Sequence, residues 1–292
     1  MTKKHMRWGW FFIAPYLIGF SIFTLSAVVF SGYLSFTDYN IFNPPKWVGM
    51  KNYINAVTDP EVWTSFRNVF VYGIITEFLQ LFLGCIIAVA LNQKCKGIGV
   101  FRTMYFLPVL TPMVAVSFVW SYMYNPSYGV INYLLSFIGL GPFNYTFSSN
   151  WFEFVVGVSL MNVWKGLGYT SLYLLGGLQN ISEDVMEAAD IDGAGSVRKF
   201  FSITVPLLTP TLYFLLVIGV INAMQIFDPF YIMASNANTG ADVKVIGSLI
   251  YNNAFVYNKL GLASAISWIA FAVMAVLTWL QKLIEKRYVY YA

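Results

Sequence analysis

Six apolar runs, each long enough to cross about 30 Å of hydrocarbon, divide this sequence, and no other feature constrains its fold as tightly. They lie near Trp10 to Phe36, Asn68 to Leu91, Phe101 to Tyr124, Phe152 to Leu178, Leu207 to Ala234 and Ala263 to Leu283. A segment surrounded by lipid must satisfy its own backbone polar groups, which a helix does internally. The implied fold class is all-α, a polytopic membrane protein with six transmembrane helices. Composition agrees: 58% of the residues are hydrophobic and 10% charged, more apolar surface than a water-soluble chain of 292 residues could hide. A seventh apolar stretch, Ile131 to Leu140, is too short to span and is expected to be interfacial or re-entrant.

Basic residues fix the expected orientation. Lys3, Lys4, Arg7, Lys94, Lys96, Arg102, Arg198, Lys199, Lys282, Lys286 and Arg287 all fall on one side of a six-span topology. The other side has only Lys46, Lys51, Arg67, Lys244 and Lys259, so both termini are expected in the cytoplasm. The opening "MTKKHMRWGWFFIAPYLIGF" begins like a signal peptide, but its apolar run is too long and has no small-x-small cleavage site, so a retained anchor is expected.

The net charge of +4 sits at the ends of apolar runs, which suits an anionic leaflet and forms no stripe for a phosphate backbone, so nucleic acid is set aside. Cys85 lies in an apolar run and Cys95 in a basic loop, with neither metal-ligand nor disulfide spacing. The only histidine, His5, is in the polar N-terminal tail, which removes His-based catalysis within the spans. A nucleophile–base pair at one depth is not evident either, so no catalytic residue and no metal site is expected.

One hydrophilic insert interrupts this apolar pattern, "EAADIDGAGSVRKFFSITVPLL", Glu187 to Leu208. Asn180 with Glu183 has capping-box spacing, Ser182 is an alternative N-cap, and Asp192-Gly193 supplies a turn with positive φ. Gly195-Ser196 then begins a short basic helix through Val197, Arg198, Lys199 and Phe200, and Pro206 opens the fifth span. In the first helix Val185, Ala188 and Ala189 share one side, and Glu183, Glu187 and Asp190 another. So short a two-faced helix has little apolar area of its own to stay ordered. It is either a capped connector between spans or a docking element for a partner that supplies the missing burial.

Polar side chains inside spans are costly and mark candidate functional positions. Glu77, Lys165, Asp228 and, nearer the outer boundary, Glu153 are the ionisable ones. Asn162, Lys165, Tyr169 and Tyr173 form a stripe at spacings of three and four on the fourth span. Asn222, Gln225 and Asp228 occupy a broader arc of the fifth, at a comparable depth. Such faces offer donors, acceptors and aromatic platforms to a hydroxyl-rich solute. The same groups also bond helix to helix, with Glu77 or Asp228 as a partner for Lys165.

The insert resembles the EAA loop of the membrane subunits of bacterial ABC importers; the matching residues are Glu187, Ala188, Ala189, Asp192, Gly193, Ala194 and Val205-Pro206. The stretches "WVGMKNYINAVTDPEVWTSFRNVFVYG", "FRTMYFLPVLTPMVAVSFVWSYMYNPSYGVINYLL", "WKGLGYTSLYLLGGLQNISEDVMEAADIDGAG" and "GLASAISWIAFAVMAVLTW" are similar to the carbohydrate-uptake branch, in particular its first permease subunit. Where that branch carries a Thr-x-Gly-Gly-Pro outer turn, this chain reads "ASNANTGAD", Ala234 to Asp242, a departure on the side expected to meet a binding protein.

The resemblance implies a type I ABC importer transmembrane domain. Residues 1–66 would hold a cytoplasmic tail, the first transmembrane helix and an outer loop. Residues 67–285 would form the transmembrane core with a coupling loop at 180–206, and 286–292 a cytoplasmic tail. Glu183, Glu187, Ala188, Ala189, Asp192, Gly193, Ala194 and Arg198 would couple the spans to an ATPase. The implied function is the permease subunit of an ATP-driven, binding-protein-dependent importer of a sugar, oligosaccharide or polyol in the bacterial plasma membrane. The implied partners are the lipid bilayer, a homologous second permease, two ABC ATPases and an extracytoplasmic solute-binding protein. The chain has no Walker A pattern, so ATP and Mg²⁺ would belong to the partners and no cofactor to this chain. An ion-coupled secondary transporter is the alternative, and it would call for an inverted repeat and acids at the midplane.

Overall fold

The structure is a computed structural model that describes residues 3–93, 97–139, 150–237 and 243–290. Fourteen α-helices are described, starting with α1 (Lys3–Gly19), which continues through a π-helical turn (Phe20–Leu25) into α2 (Ser26–Ser35). A two-residue ribbon, β1 (Thr37–Asp38) and β2 (Lys46–Trp47), leads to α3 (Lys51–Thr58) and the 32-residue α4 (Pro60–Leu91). Next come α5 (Ile98–Phe106), a 3₁₀ turn (Leu107–Leu110), α6 (Met113–Met123), α7 (Val130–Ser136) and the 29-residue α8 (Trp151–Gln179). The hydrophilic insert forms α9 (Glu183–Ile191) and α10 (Ser196–Lys199), and a π turn (Phe200–Thr204) feeds α11 (Val205–Met224). The chain closes with α12 (Asp228–Ala237), α13 (Ile246–Tyr251), a π turn (Asn252–Val256) and α14 (Leu260–Tyr288).

Among the described residues, four helices are long and apolar enough to cross a membrane: Trp10–Ser35, Pro60–Leu91, Ser196–Met224 and Leu260–Arg287. A further pair, Ile98–Leu110 with Met113–Met123, is apolar enough only when taken together and is bent by 96° at its break, the geometry of a broken span or of a re-entrant loop. Helix α8 is about 44 Å long at 1.5 Å per residue, and its glycines, Asn162 and Lys165 dilute its apolarity. None of the most apolar window of Trp10–Ser35 is buried, as expected of a helix whose solvent is lipid. The short apolar stretch folds as the seven-residue α7, too short to span.

The fifth span ends earlier than its apolarity suggests. The expected helix ran to Ala234, yet α11 stops at Met224 and a new helix begins at Asp228. Pro229 has no N–H to give the carbonyl of Gln225, so the ladder is interrupted there although the side chains remain apolar.

Contacts divide the chain into two compact units. The first holds residues 1–63 and 249–272. In it the ribbon is antiparallel with Thr37 opposite Trp47, and the Phe36 and Trp47 rings stack at 5.5 Å. Buried Asn52 donates from Nδ2 to the carbonyls of Ser35 (2.9 Å) and Thr37 (2.8 Å), which satisfies backbone groups where α2 ends. Gly261 lies so close to the Thr37 carbonyl that any Cβ would collide with it.

The second unit holds residues 64–248 and 273–292. Its core includes Ala88 and Leu91 of α4, Leu174, Leu175 and Leu178 of α8, and Leu208 and Leu215 of α11. Helix α12 packs on α6, and Phe230 meets Tyr72 edge-on at 5.5 Å and Phe154 at 5.8 Å. Buried Tyr124 donates its hydroxyl to the Gly157 carbonyl at 2.9 Å, so α6 and α8 are joined by a hydrogen bond in an otherwise apolar contact.

Candidate functional site

Four of the seven polar residues predicted to line a path meet in a cavity of about 500 Å³ within the second unit, between α4, α8, α11 and the bend before α6. Asn162, Lys165 and Tyr169 reach it from α8, Asn222 from α11, and Glu77 and Gln80 from α4. Gln80 donates from Nε2 to the Asn162 carbonyl at 3.0 Å, while the buried Asn162 Nδ2 has no hydrogen-bond partner among the described residues. A buried amide without a partner costs free energy until something supplies an acceptor, and a hydroxyl in the cavity could. Sequence reasoning noted Glu77 without placing it on the path, and missed Gln80. The signal was there: two polar residues three apart in the apolar run "TEFLQLFLG".

Two glycines shape the walls. A Cβ on Gly219 would collide with the Glu77 carboxylate, and one on Gly166 with the Gln80 amide. The bare backbones of α11 and α8 therefore make room for the two polar side chains of α4.

Three predicted residues lie elsewhere. Tyr173 stacks with Phe214 at 5.6 Å in a separate groove and meets Tyr169 at 4.5 Å, so the two tyrosines form an aromatic run down α8. Gln225 caps the end of α11, and Asp228 opens α12, and neither lines the cavity that Asn222 reaches. Of the two roles open to Lys165, contact with a solute or pairing with Glu77 or Asp228, the ion pair is not formed. Its ammonium donates instead to the backbone carbonyls of Pro108 (3.3 Å) and Val109 (3.1 Å), and neither Glu77 nor Asp228 is its partner among the described residues.

The hydrophilic insert forms a helical hairpin. Ser182, not Asn180, is the N-cap of α9, accepting from the Asp184 N–H at 3.2 Å; Asn180 instead ends α8. The helix closes with a Schellman arrangement: Gly193 N–H donates to the Asp190 carbonyl (3.1 Å) and Ala194 N–H to the Ala189 carbonyl (3.0 Å). Gly193 takes the required left-handed backbone, φ +73°. Lys199 Nζ pairs with Asp190 Oδ1 at 2.5 Å and ties α10 back to α9.

Of the residues on the expected apolar side only Ala189 is buried; Val185 and Ala188 are exposed. Met186 takes the inward place and lines a cavity of about 630 Å³ with Arg102, Glu183 and Lys199. Outward the hairpin presents Glu187 and Arg198 together with apolar Val185, Ile191 and Val197, the last two 87% and 73% exposed. Exposed aliphatics beside charges are what a docking surface offers.

No cluster of three or more His, Cys, Asp or Glu side chains suited to a metal occurs among the described residues. Cys85 is a free thiol, while Cys95, Lys94, Lys96 and most of the altered outer turn lie outside the described residues.

Residues 80–290 match the family described as binding-protein-dependent transport system inner membrane component. The chain is 36% identical over 279 residues to a probable ABC transporter permease protein, YesP, of Bacillus subtilis, covering 94% of this chain and 89% of that one. It is 33% identical over 277 residues to the trehalose/maltose transport system permease protein MalF of Thermococcus litoralis, covering 94% and 92%. In fold it is similar to a chain of a bacterial ABC transporter involved in import of the acidic polysaccharide alginate, with a TM-score of 0.80 at 22% identity over 97% of this chain and 98% of that one. A chain of a bacterial alginate ABC transporter in complex with an alginate pentasaccharide-bound periplasmic protein gives a TM-score of 0.80 at 21% identity over 97% of this chain and 96% of that one. With its bundle of apolar helices and its EAA hairpin, this chain belongs to the inner membrane components of binding-protein-dependent transport systems and is a multi-pass permease subunit of the ABC importer type.

Proposed function

We propose that this subunit forms half of the translocation path of an ATP-driven importer for a sugar, oligosaccharide or related polyol. The observation that carries the reading is a cavity edged by Glu77, Gln80, Asn162, Tyr169 and Asn222 in a chain that aligns over 94% of its length with a trehalose/maltose permease. Carboxylate, amide and phenol groups beside an aromatic run suit the many hydroxyls of a sugar. Lys165 is the one cation among the lining residues and Glu77 the one acid, so the cavity carries no excess of positive charge for an anionic solute.

The partners in this reading are a homologous second permease, two ABC ATPases that bind ATP and Mg²⁺, and an extracytoplasmic solute-binding protein. Both termini and the hairpin face the cytoplasm of a bacterial cell, in keeping with the basic residues on that side. ATP-driven closure of the ATPases on residues 180–206 moves the spans, and access to the cavity alternates between the two sides. Glu183, Glu187, Ala188, Ala189, Asp192, Gly193, Ala194 and Arg198 carry this coupling.

The test is uptake of labelled maltose, trehalose and lactose by liposomes holding the full complex, with its binding protein added. Accumulation that requires both ATP on the ATPase side and the binding protein supports the reading. Uptake that proceeds without ATP, or complete indifference to neutral sugars, would sink it.

A further inference from the structure

We infer that Lys165 is a positioning residue of the transport cycle: its ammonium latches the bend of the third span and so sets the wall of the cavity. The inference goes beyond the proposed function, since it assigns a role to the break between α5 and α6 whatever the solute.

The bend creates a problem that must be solved in place. The helical segment Ile98–Leu110 ends in a 3₁₀ turn, and the chain turns by 96° before α6. A straight helix would give the Pro108 carbonyl the N–H of residue 112, but residue 112 is proline. It would give the Val109 carbonyl the N–H of Met113, which the turn carries away. Unsatisfied carbonyls at membrane depth cost several kcal/mol each. Thr111 meets part of the need, donating its N–H (3.2 Å) and hydroxyl (2.6 Å) to the Pro108 carbonyl. Lys165 supplies the rest, reaching Pro108 and Val109 together.

The match is electrostatic as well as geometric. The last carbonyls of a helix form its negative end, where a cation is stabilised. A lysine within a span otherwise carries a large desolvation cost, so lysine and broken helix each lower the other's cost. One turn further along α8, Gly168 lies against the Tyr105 carbonyl and Phe106 Cα so closely that any Cβ would collide with that backbone. Gly168 brings the end of α5 onto α8, and Lys165 holds it there. Val109 and Met113, on either side of the break, line the cavity, so the angle of the bend sets the cavity's width.

The test measures the bend in the whole complex in lipid nanodiscs, with Cys85 and Cys95 replaced by Ser and spin labels on exposed Met104 of α5 and Tyr122 of α6. Two helical arms of about 12 and 15 Å, bent by 96° from a straight line, put these positions about 18 Å apart, and straightening would bring them to about 27 Å. We expect the short distance in wild type and Lys165→Arg, and a shift of several ångströms to a longer, broader distribution in Lys165→Met. Binding-protein-stimulated ATP hydrolysis should fall in the Met variant and return with Arg. Lys165→Gln, which keeps a donor without the charge, gives the reading should the Met complex fail to assemble, and is expected between wild type and Met. An unchanged distance without the ammonium overturns the inference, whether or not transport falls. Because no sugar is needed, that failure is separate from failure of the proposed substrate class.

Discussion

Replacing Gly193 isolates the hairpin from every other part of the protein. This glycine holds φ at +73°, and nothing lies within 4 Å of where a Cβ would project. A substitution therefore meets no steric obstacle, and only the backbone conformation opposes it. An L-residue in the left-handed region costs roughly 1–2 kcal/mol, a factor of about 5 to 30 in the population of the hairpin as it stands. The two hydrogen bonds that close α9, Gly193 to Asp190 and Ala194 to Ala189, depend on that conformation. Gly193→Ala should reduce solute moved per ATP by up to that factor, Gly193→Val by more, and Gly193→Asn least, because Asn visits this region more readily. The assay is parallel measurement of uptake and hydrolysis in proteoliposomes, with complex assembly checked by size exclusion. Wild-type coupling in the Val variant, or equal defects in Asn and Val, would refute the reasoning.

Other substitutions probe the cavity and the docking face. Gly219→Ala pushes a methyl into the Glu77 carboxylate, the free end of a flexible side chain beside a cavity, so it should displace that carboxylate and lower uptake while changing thermal unfolding little. Gln80→Leu removes the bond to the Asn162 carbonyl and should destabilise the protein by about 1 kcal/mol, read as a lower melting temperature. Ile191→Asp and Val197→Asp alter only exposed surface, so they should leave the isolated subunit's melting temperature unchanged while weakening ATPase capture in a pull-down. Asp190→Asn breaks a surface pair and should shift melting only slightly, an effect that disappears in high salt.

The parts of the fold legible in the sequence were those set by local pattern. Apolar length announced the long helices, and Asp192-Gly193 announced the hairpin turn, because both depend on residues close in sequence. Counting along two spans sets Asn162 and Lys165 level with Asn222 and Gln225; the first three share a cavity, and Gln225 does not line it. The break after Met224 precedes Pro229, whose missing N–H outweighs the apolar pattern that continues through "FDPFYIM". The cap at Ser182 was one of two adjacent possibilities, and chain direction at the end of α8 selects it. The partner of Lys165 was not legible: backbone carbonyls carry no residue identity, and a search by side-chain charge found only Glu77 and Asp228. Gly219 and Gly166 likewise reveal their purpose only when α4 is seen against them.

The central claim is that this chain works as one subunit of an ATPase-driven assembly. The most direct measurement is affinity purification of the tagged protein from its native membranes in mild detergent, with mass spectrometry of what accompanies it. The account predicts a second permease and an ABC ATPase in a ratio of one to two, with ATP hydrolysis in the eluate. Recovery of the chain alone, folded and still able to drive uptake in liposomes, would contradict it and make the hairpin a connector between spans.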